Sequence, residues 1–351
     1  MSAAAAPLAR AASPVRLGYD TYSIRAFRWK ALEHIEYAAR QKLDAIQISS
    51  LGDFESLAPA HLAKVRDAAG RHGIRIDGGI GCICPTSASY RNSDGTPEEY
   101  ILRGLRTAKA LGAAAMRCFV GSMSERRGKL PVEAHMEAAV KVLQSVRPRA
   151  LEYGVKIAIE NHNGDLSAAE VRTIIEEAGP DLVGSNLDTG NPMWLLEDPM
   201  LTLETLAPYV VTSHFRDSAI WEIPGGIMFQ WVALGDGSID MPRLTARFHE
   251  LCPRAAMQLE IITGRPPQFL PCYGDAQFWK GYPKVTGAQF ARFAALAKQG
   301  HPFAGAMMTA GPSKQPEAYE EALKLQQRID LERSFEYARK KLDAGIRWRE
   351  G

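Results

Sequence analysis

Short apolar runs alternate with longer amphipathic segments along most of the chain. The runs are rich in β-branched residues and are typical of buried strands, whereas the segments between them repeat apolar residues at helical spacing. Eight runs are predicted strands: 16–20, 44–49, 75–81, 115–121, 156–161, 183–188, 210–215 and 257–262. Helices are predicted between them at 29–42, 59–72, 97–111, 132–153, 167–178, 201–206 and 241–251.

This alternation predicts an α/β fold built as one (β/α)8 TIM barrel. Strands separated by helices pair in parallel through right-handed crossovers, and eight such units close a barrel. An open doubly wound sheet is the alternative, but no GxGxxG motif follows the first predicted strand. We expect residues 1–14 to form a disordered tail and residues 15–300 to form the barrel, with enlarged loops after strands seven and eight. Residues 301–351 are predicted to be a C-terminal helical extension packed on the barrel.

Composition and charge narrow the classes of function. Of 351 residues, 46% are hydrophobic and 23% are charged, which is ordinary for a soluble globular protein. The 42 basic and 40 acidic residues leave a net charge of +2, so charge gives no reason to expect nucleic acid or a membrane as partner. The five cysteines include no CxxC pair, which favours reduced thiols and a cytoplasmic location.

Side chains that can bind a metal end four consecutive predicted strands. Glu160 ends the fifth strand, Asp188 the sixth, His214 the seventh and Glu260 the eighth. Because side chains at the C-terminal ends of barrel strands converge, we expect these four to lie together. A carboxylate in an apolar strand needs a cation or a hydrogen-bond network, and three carboxylates with one imidazole suit Mn²⁺ or Mg²⁺. A purely structural role would have to explain four such residues at equivalent positions.

These residues resemble the sugar phosphate isomerase/epimerase family, whose members share a xylose isomerase-like TIM barrel. The resemblance runs from about residue 15 to 264 and implies that Glu160, Asp188, His214 and Glu260 are divalent-metal ligands. It also implies that Glu160 and Glu260 form a catalytic acid/base pair. Epimerases of the family commonly place a substrate-binding histidine three residues after the sixth-strand aspartate. That position is Asn191 here, a predicted substrate-binding residue, and the departure counts against simple ketose epimerisation.

Large aromatic residues are concentrated in and beside the loops that follow predicted strands six to eight. Trp194 and Trp231, with Trp221 and Trp279, fall on the face where a substrate would enter. An aromatic ring there offers a stacking surface, which predicts that Trp194 and Trp231 bind a sugar or a bulky group attached to one. The alternative is that these rings fill a loop core or a subunit interface.

Three further polar residues complete the predicted site. His162, two residues beyond Glu160, is the candidate catalytic base, because the pKa of an imidazole suits proton transfer near neutral pH. The alternative for His162 is a supporting hydrogen bond behind the metal site. Arg117 ends the fourth strand and Arg216 follows His214 by two residues, and each is predicted to hold a sugar or carboxylate oxygen. Pairing with acids at the top of the barrel is the alternative for both arginines.

A divalent ion beside a base predicts removal of the proton next to a sugar carbonyl. The resulting enediolate can give an epimer, an isomer or the elimination of a β-substituent. The family's α subunits that cleave 3-oxo-C-glycosides resemble this chain in their long barrel and enlarged loops, which favours the lyase. That resemblance also implies a small β-rich partner subunit, and we expect an oligomer. A ketose 3-epimerase or sugar isomerase is the alternative, and a non-catalytic sugar-binding barrel is the alternative of another class.

Overall fold

The computed structural model describes residues 15–309 and 313–349, so the tail expected at 1–14 lies outside the described residues. The strands described are β1 (Leu17–Asp20), β2 (Ala45–Ile48), β3 (Arg75–Cys82), β4 (Ala115–Phe119), β5 (Lys156–Glu160), β6 (Val183–Asp188), β7 (Val210–His214), β8 (Asp217–Ile223), β9 (Gly226–Val232), β10 (Met257–Leu259) and β11 (Gln268–Leu270). The α-helices are α1 (Ala31–Arg40), α2 (Pro59–Arg71), α3 (Pro97–Ala110), α4 (Met123–Arg126), α5 (Val132–Tyr153), α6 (Ala168–Ala178), α7 (Pro199–Leu206), α8 (Met241–Leu251), α9 (Gly287–Gln299) and α10 (Glu317–Lys341).

The barrel consists of parallel strands in the order β10-β1-β2-β3-β4-β5-β6-β7. It closes between β7 and β10, where the amide of Phe215 donates to the carbonyl of Gln258 at 2.7 Å and the amide of Glu260 donates to the carbonyl of Phe215 at 3.0 Å. Each of the eight predicted strands overlaps one of these, so the predicted TIM barrel is confirmed.

The helices begin where local sequence can satisfy their free amide groups. Thr96 and Glu99 form a capping box at the start of α3, with Pro97 at the first helical position. Ser167 and Glu170 form the same box at the start of α6. These caps fix the point at which each helix begins, and therefore the path of the preceding loop at the C-terminal end of the barrel strands.

The enlarged loop after β7 is an antiparallel hairpin of β8 and β9, which turns at Pro224 and Gly225. Gly225 has a φ of +88°, a conformation that glycine adopts without strain. Strand β11, from the segment after β10, pairs with β9, and α9 packs on β8. We call β8, β9, β11 and α9 the cap. It has a separate apolar core that includes Ile220, Phe229, Leu270 and Phe293.

Helix α10 packs directly on the barrel. Leu331 and Phe335 are buried in the barrel core, and the ring of Phe335 meets that of Tyr19 on β1 edge-on at 6.1 Å. The hydroxyl of Tyr37 on α1 donates to Glu332 at 3.2 Å. Helix α10 therefore fills the position of an eighth barrel helix beside α1, although the domain boundary at residue 300 stays a prediction. None of the described helices combines the length and apolarity needed to cross a membrane.

Candidate metal centre and its cavity

Four adjacent barrel strands bring the predicted ligands together. Glu160 ends β5, Asp188 ends β6, His214 ends β7 and Glu260 follows β10 directly. The register pairs Asp188 with His214 across β6 and β7. One possible ligand atom from each residue lies within 4.8 Å of the other three, and all four side chains are buried. The four residues predicted from the strand ends therefore lie together at one point in the barrel.

The spacing of these four groups fits a divalent ion. Oxygen ligands surround Mg²⁺ at about 2.1 Å, so two ligands on opposite sides of such an ion are separated by about 4.2 Å, and neighbouring ligands are closer. The separations of up to 4.8 Å among the four candidate atoms are therefore close to the ligand–ligand separations around a bound ion. Three carboxylates make the site oxygen-rich and suit a hard cation.

Two buried arginines balance the charge of the carboxylates. Arg117 pairs with Glu160, and Arg216 pairs with Asp188 and, at 2.5 Å, with Glu260. Burial alone would raise the pKa of Glu160, but the charges of Arg117 and His214 together outweigh it and hold that pKa well below its usual range. At Glu260 the charges of Arg216 and His214 together overcome burial and lower the pKa to about 2. At Asp188 burial prevails and raises the pKa to about 6.

The imidazole of His214 lies among the same carboxylates. Its Nδ1 is 3.3 Å from Glu160 Oε1 and 3.4 Å from Glu260 Oε2. Burial alone would lower the pKa of His214, but the negative charges of Glu260 and Glu160 raise it well above its usual value. On the other side of the ring, Nε2 lies 2.5 Å from Gln47 Oε1 and 3.4 Å from Asp20 Oδ2. Nδ1 is thus the atom that faces an ion, and binding would release its proton.

Gln47 belongs to a chain of buried polar side chains inside the barrel. Its Nε2 donates to Asn186 Oδ1 at 3.1 Å and to Thr212 Oγ1 at 3.0 Å. Thr212 Oγ1 in turn donates to Asp77 Oδ2 at 3.0 Å. None of these four side chains has measurable exposure. Because the amide group of Gln47 is anchored at its nitrogen, its oxygen is fixed toward His214.

The ring of His162 lies on the wall of the cavity beside the metal ligands. Its Nδ1 is 2.8 Å from the carbonyl oxygen of Gly121, so Nδ1 donates and Nε2 is left as a hydrogen-bond acceptor. The ring stacks on Phe119 with centroids 4.0 Å apart. Burial lowers the pKa of His162 to about 4 despite the opposing charge of Glu160. The ring is therefore neutral near pH 7, and its Nε2 is available to accept a proton.

The cavity has a volume of about 630 Å³ and opens over the metal site. Its lining includes six of the predicted site residues: Arg117, His162, Asn191, Arg216, Trp231 and Glu260. Asn191 donates from Nδ2 to Glu160 Oε1 at 3.2 Å, so it contacts the metal site as well as the cavity. The lining also includes Tyr22, Arg91, Tyr100, Phe119, Ile262 and Arg265, which add aromatic and cationic surface.

The two predicted substrate-binding tryptophans have different positions. Trp231 lines the cavity, and its Nε1 donates to the carbonyl of Gly190 at 2.9 Å. Trp194 is absent from the cavity lining and packs edge-on against Phe229 in the cap, with centroids 5.0 Å apart. The structure therefore places Trp194 in a loop core, which was the alternative prediction, and leaves Trp231 as one of the aromatic residues that line the cavity.

Several functional candidates were missed in the sequence. Asp20 ends β1 and Gln47 lies one residue before the end of β2, so the strand-end argument used for the metal ligands would also have found them. Arg265 and Arg25 lie in the segments after β10 and β1, where nothing in the local pattern distinguishes them from surface arginines. Their importance depends on tertiary neighbours.

Comparison with known proteins agrees with this geometry. Residues 35–269 match the model of a family described as xylose isomerase-like TIM barrel. The chain is similar to a 3-oxo-isoapionate decarboxylase of Pectobacterium atrosepticum, with 25% identity over 240 residues that make up 65% of this chain and 78% of the relative.

Solved structures show the same fold. A D-psicose 3-epimerase from Clostridium cellulolyticum H10, solved with D-tagatose, has a TM-score of 0.56 and 14% identity, covering 93% of this chain and 99% of the other. A xylose isomerase domain protein from Planctomyces limnophilus has a TM-score of 0.52 and 20% identity, covering 65% of this chain and 84% of the other. With a family model that matches more than half of its length, the chain belongs to the xylose isomerase-like TIM barrel family.

Proposed function

We propose that the protein is a divalent-metal-dependent lyase that acts on a 3-oxo sugar derivative. One observation carries the proposal: the neutral imidazole of His162 lines the same cavity as Glu260, next to the four candidate metal ligands. Because His162 is separate from those ligands, it can accept a proton while they hold an ion. The similarity to a decarboxylase of a 3-oxo compound supports a substrate with a carbonyl in this position.

Glu160, Asp188, His214 and Glu260 would hold Mn²⁺ or Mg²⁺. When bound, the ion polarises the substrate carbonyl and stabilises the negative charge that develops on oxygen. The Nε2 of His162 takes the proton from the carbon next to the 3-oxo group, and the electron pair of that bond forms a carbon–carbon double bond. The substituent on the following carbon then leaves with its bonding electrons and takes up a proton. This sequence is a β-elimination of a 3-oxo-glycoside.

Decarboxylation of a 3-oxo acid is a second candidate, and the similarity to the decarboxylase favours it. In this reaction the carboxylate leaves as CO₂, and the electrons of the broken bond remain on the carbon next to the carbonyl. A proton must then return to that carbon, and the cavity position of His162 suits a group that delivers it from solvent. Both reactions need the same metal site and differ in the bond that breaks.

Epimerisation of a free ketose has less support in the site. It requires acid/base groups on both faces of one carbon, and the two implied by the family resemblance, Glu160 and Glu260, are paired with Arg117 and Arg216. Solved epimerases that this chain is similar to share 14–17% identity with it, a level that concerns the fold. A small β-rich partner subunit and an oligomer remain predictions.

A product assay on the Mn²⁺-loaded protein tests the proposal. The three compounds are a 3-oxo-glucoside with an aromatic aglycone, a 3-oxo sugar acid and a free ketose, each with and without EDTA. Release of the aglycone or of CO₂, lost with EDTA and restored by Mn²⁺, supports the lyase and identifies the bond broken. Conversion of the ketose to its epimer without either release would contradict it.

A further inference from the structure

Two half-buried arginines beside the cavity lack a carboxylate partner among the residues that the structure describes. Arg265 lines the cavity, is half-buried, and has its guanidinium carbon 5.5 Å from the ring centre of Trp231. Arg25 is also half-buried. It donates to the carbonyl of Thr263 at 2.9 Å and lies over the ring of Tyr22 at 4.7 Å. Neither guanidinium is within 4 Å of a described carboxylate, so neither forms an ion pair with the described residues.

The two fully buried arginines of the site, by contrast, have carboxylate partners. Arg117 and Arg216 also line the cavity, but their charges are matched by the metal-site carboxylates. Burial lowers the pKa of Arg25, and the charges of Arg265 and Arg216 also lower it, against the opposing effects of Tyr22 and Glu260. Arg25 and Arg265 therefore repel each other, and an anion placed beside them would relieve the repulsion.

The position of the two arginines relates them to the reaction centre. Strands β1 and β10 pair directly, with Tyr19 opposite Leu259. Arg25 and Arg265 each come five residues after the strand-end acids Asp20 and Glu260. They therefore lie at the seam where the loops after β1 and β10 meet, on the side of the cavity next to Glu260. A substrate bound at the metal site can extend a substituent toward this seam.

We propose that Arg265 and Arg25, with Tyr22 and Trp231 as walls, form an anion subsite that binds a carboxylate or phosphate group of the substrate. The inference rests on the proposed function, because it concerns the substrate of the same site. Guanidinium groups bind both anions through paired, charge-assisted hydrogen bonds. The subsite would make the preferred substrate an acidic sugar derivative instead of a neutral glycoside.

Calorimetric binding of three matched six-carbon compounds tests the subsite without requiring turnover. The probes are D-sorbitol, D-gluconate and D-sorbitol 6-phosphate, titrated into the full-length protein with Mn²⁺ and again with EDTA. We expect at least one anion to bind about tenfold more tightly than sorbitol, as charge-assisted hydrogen bonds would allow. The tighter of the two identifies carboxylate or phosphate as the group recognised.

Substitutions of single arginines test which residues cause the preference for an anion over sorbitol. Arg265→Gln and, separately, Arg25→Gln should reduce the preference for the anion to within about threefold of sorbitol, whereas Arg265→Lys should keep most of it. Arg91→Gln is the matched control, because it removes an unpaired arginine that lines the cavity from the loop after β3. It should leave the preference intact.

Three results would overturn the subsite: equal binding of sorbitol and both anions, an anion preference that Arg265→Gln leaves unchanged, or an equal loss in Arg91→Gln. An anion that loses its affinity with EDTA but keeps it in Arg265→Gln binds the metal instead and also contradicts the proposal. None of these results bears on the lyase reaction, which the release of aglycone or CO₂ tests separately.

Discussion

The amide oxygen of Gln47 lies 2.5 Å from Nε2 of His214, and both side chains are buried inside the barrel. The amide nitrogen of Gln47 donates to Asn186 and Thr212, so its amide oxygen is the atom that faces His214. An oxygen accepts hydrogen bonds, and Nε2 of His214 therefore carries a proton. Nδ1 consequently faces the carboxylates. Support of this kind behind a metal-binding histidine sets its orientation and its basicity.

Removing this support should weaken metal binding. We expect Gln47→Leu to lower the Mn²⁺ affinity by about 10–100-fold, the usual effect of losing a partner behind a metal ligand. Gln258→Leu is the matched control, because Gln258 is equally buried but donates to Asp77 at 3.3 Å. Competition with a chelating dye measures both affinities. Similar losses in the two variants would mean that general disruption of the barrel interior, and not the His214 contact, sets the affinity.

The carboxylates at the strand ends should be required for metal binding itself. Glu160→Gln and Asp188→Asn each replace an anionic ligand atom with a neutral amide, so we expect loss of bound metal and of turnover together. Metal content by mass spectrometry and product formation are the two measurements. Glu197→Gln alters a buried carboxylate that is not one of the four candidate ligands, and this variant should retain its metal. Full activity in Glu160→Gln would rule out the proposed centre.

His162 should affect turnover without affecting the metal. Loss of a general base typically slows a reaction by about 10²–10⁴-fold, and we expect a decrease in this range for His162→Gln with unchanged metal content. The exposed His301 provides a control histidine, and His301→Gln should behave as wild type. If His162→Gln loses its metal as well, the residue supports the centre and is not the base.

Helix α10 should contribute to the stability of the barrel. Phe335 is 1% exposed and packs on Tyr19, so Phe335→Ala should lower the free energy of unfolding by about 3–5 kcal/mol. Phe269 is 47% exposed, and Phe269→Ala should change it by less than about 1 kcal/mol. Urea denaturation measures both. A small effect of Phe335→Ala would show that α10 is a peripheral appendage.

Glu197 should make stability depend on pH. Burial raises its pKa to about 7, although the amide of Ala168 and the hydroxyl of Thr202 donate to its carboxylate. A carboxyl group whose pKa is higher in the folded state stabilises the fold when protonated, and this contribution is lost as pH rises from about 4.5 to 7. Relative to Glu197→Gln, wild type should lose roughly 2–3 kcal/mol of unfolding free energy between pH 5 and 8. A parallel pH dependence in both proteins would contradict the shift.

The barrel and the cluster of candidate metal ligands could be predicted because both follow from position along the strands. Glu160, Asp188, His214 and Glu260 each interrupt or end an apolar run, and the parallel order of the strands brings such ends together. The hairpin of β8 and β9 was missed, although two runs rich in apolar residues flank Pro224, Gly225 and Gly226. Turn residues between such runs are an ordinary hairpin pattern, and the prediction of a loop here overlooked it.

The roles of individual side chains were harder to predict, because they depend on neighbours distant in sequence. Trp194 and Trp231 belong to the same kind of loop, yet only Trp231 reaches the cavity. Arg216 and Arg265 both follow strand ends. Arg216 forms ion pairs with two of the candidate metal ligands, whereas Arg265 has no ion pair with a described carboxylate. No local pattern distinguishes the members of either pair.

The separate core of the cap has an evolutionary consequence. The candidate metal ligands stand on barrel strands, whereas Trp231 and the hairpin around it are supported by Ile220, Phe229 and the other apolar residues of the cap. Mutations in the cap can therefore reshape one wall of the cavity while the strands that hold the reaction centre keep their packing. Selection can alter substrate preference in this protein through the cap, without first rebuilding the chemistry beneath it.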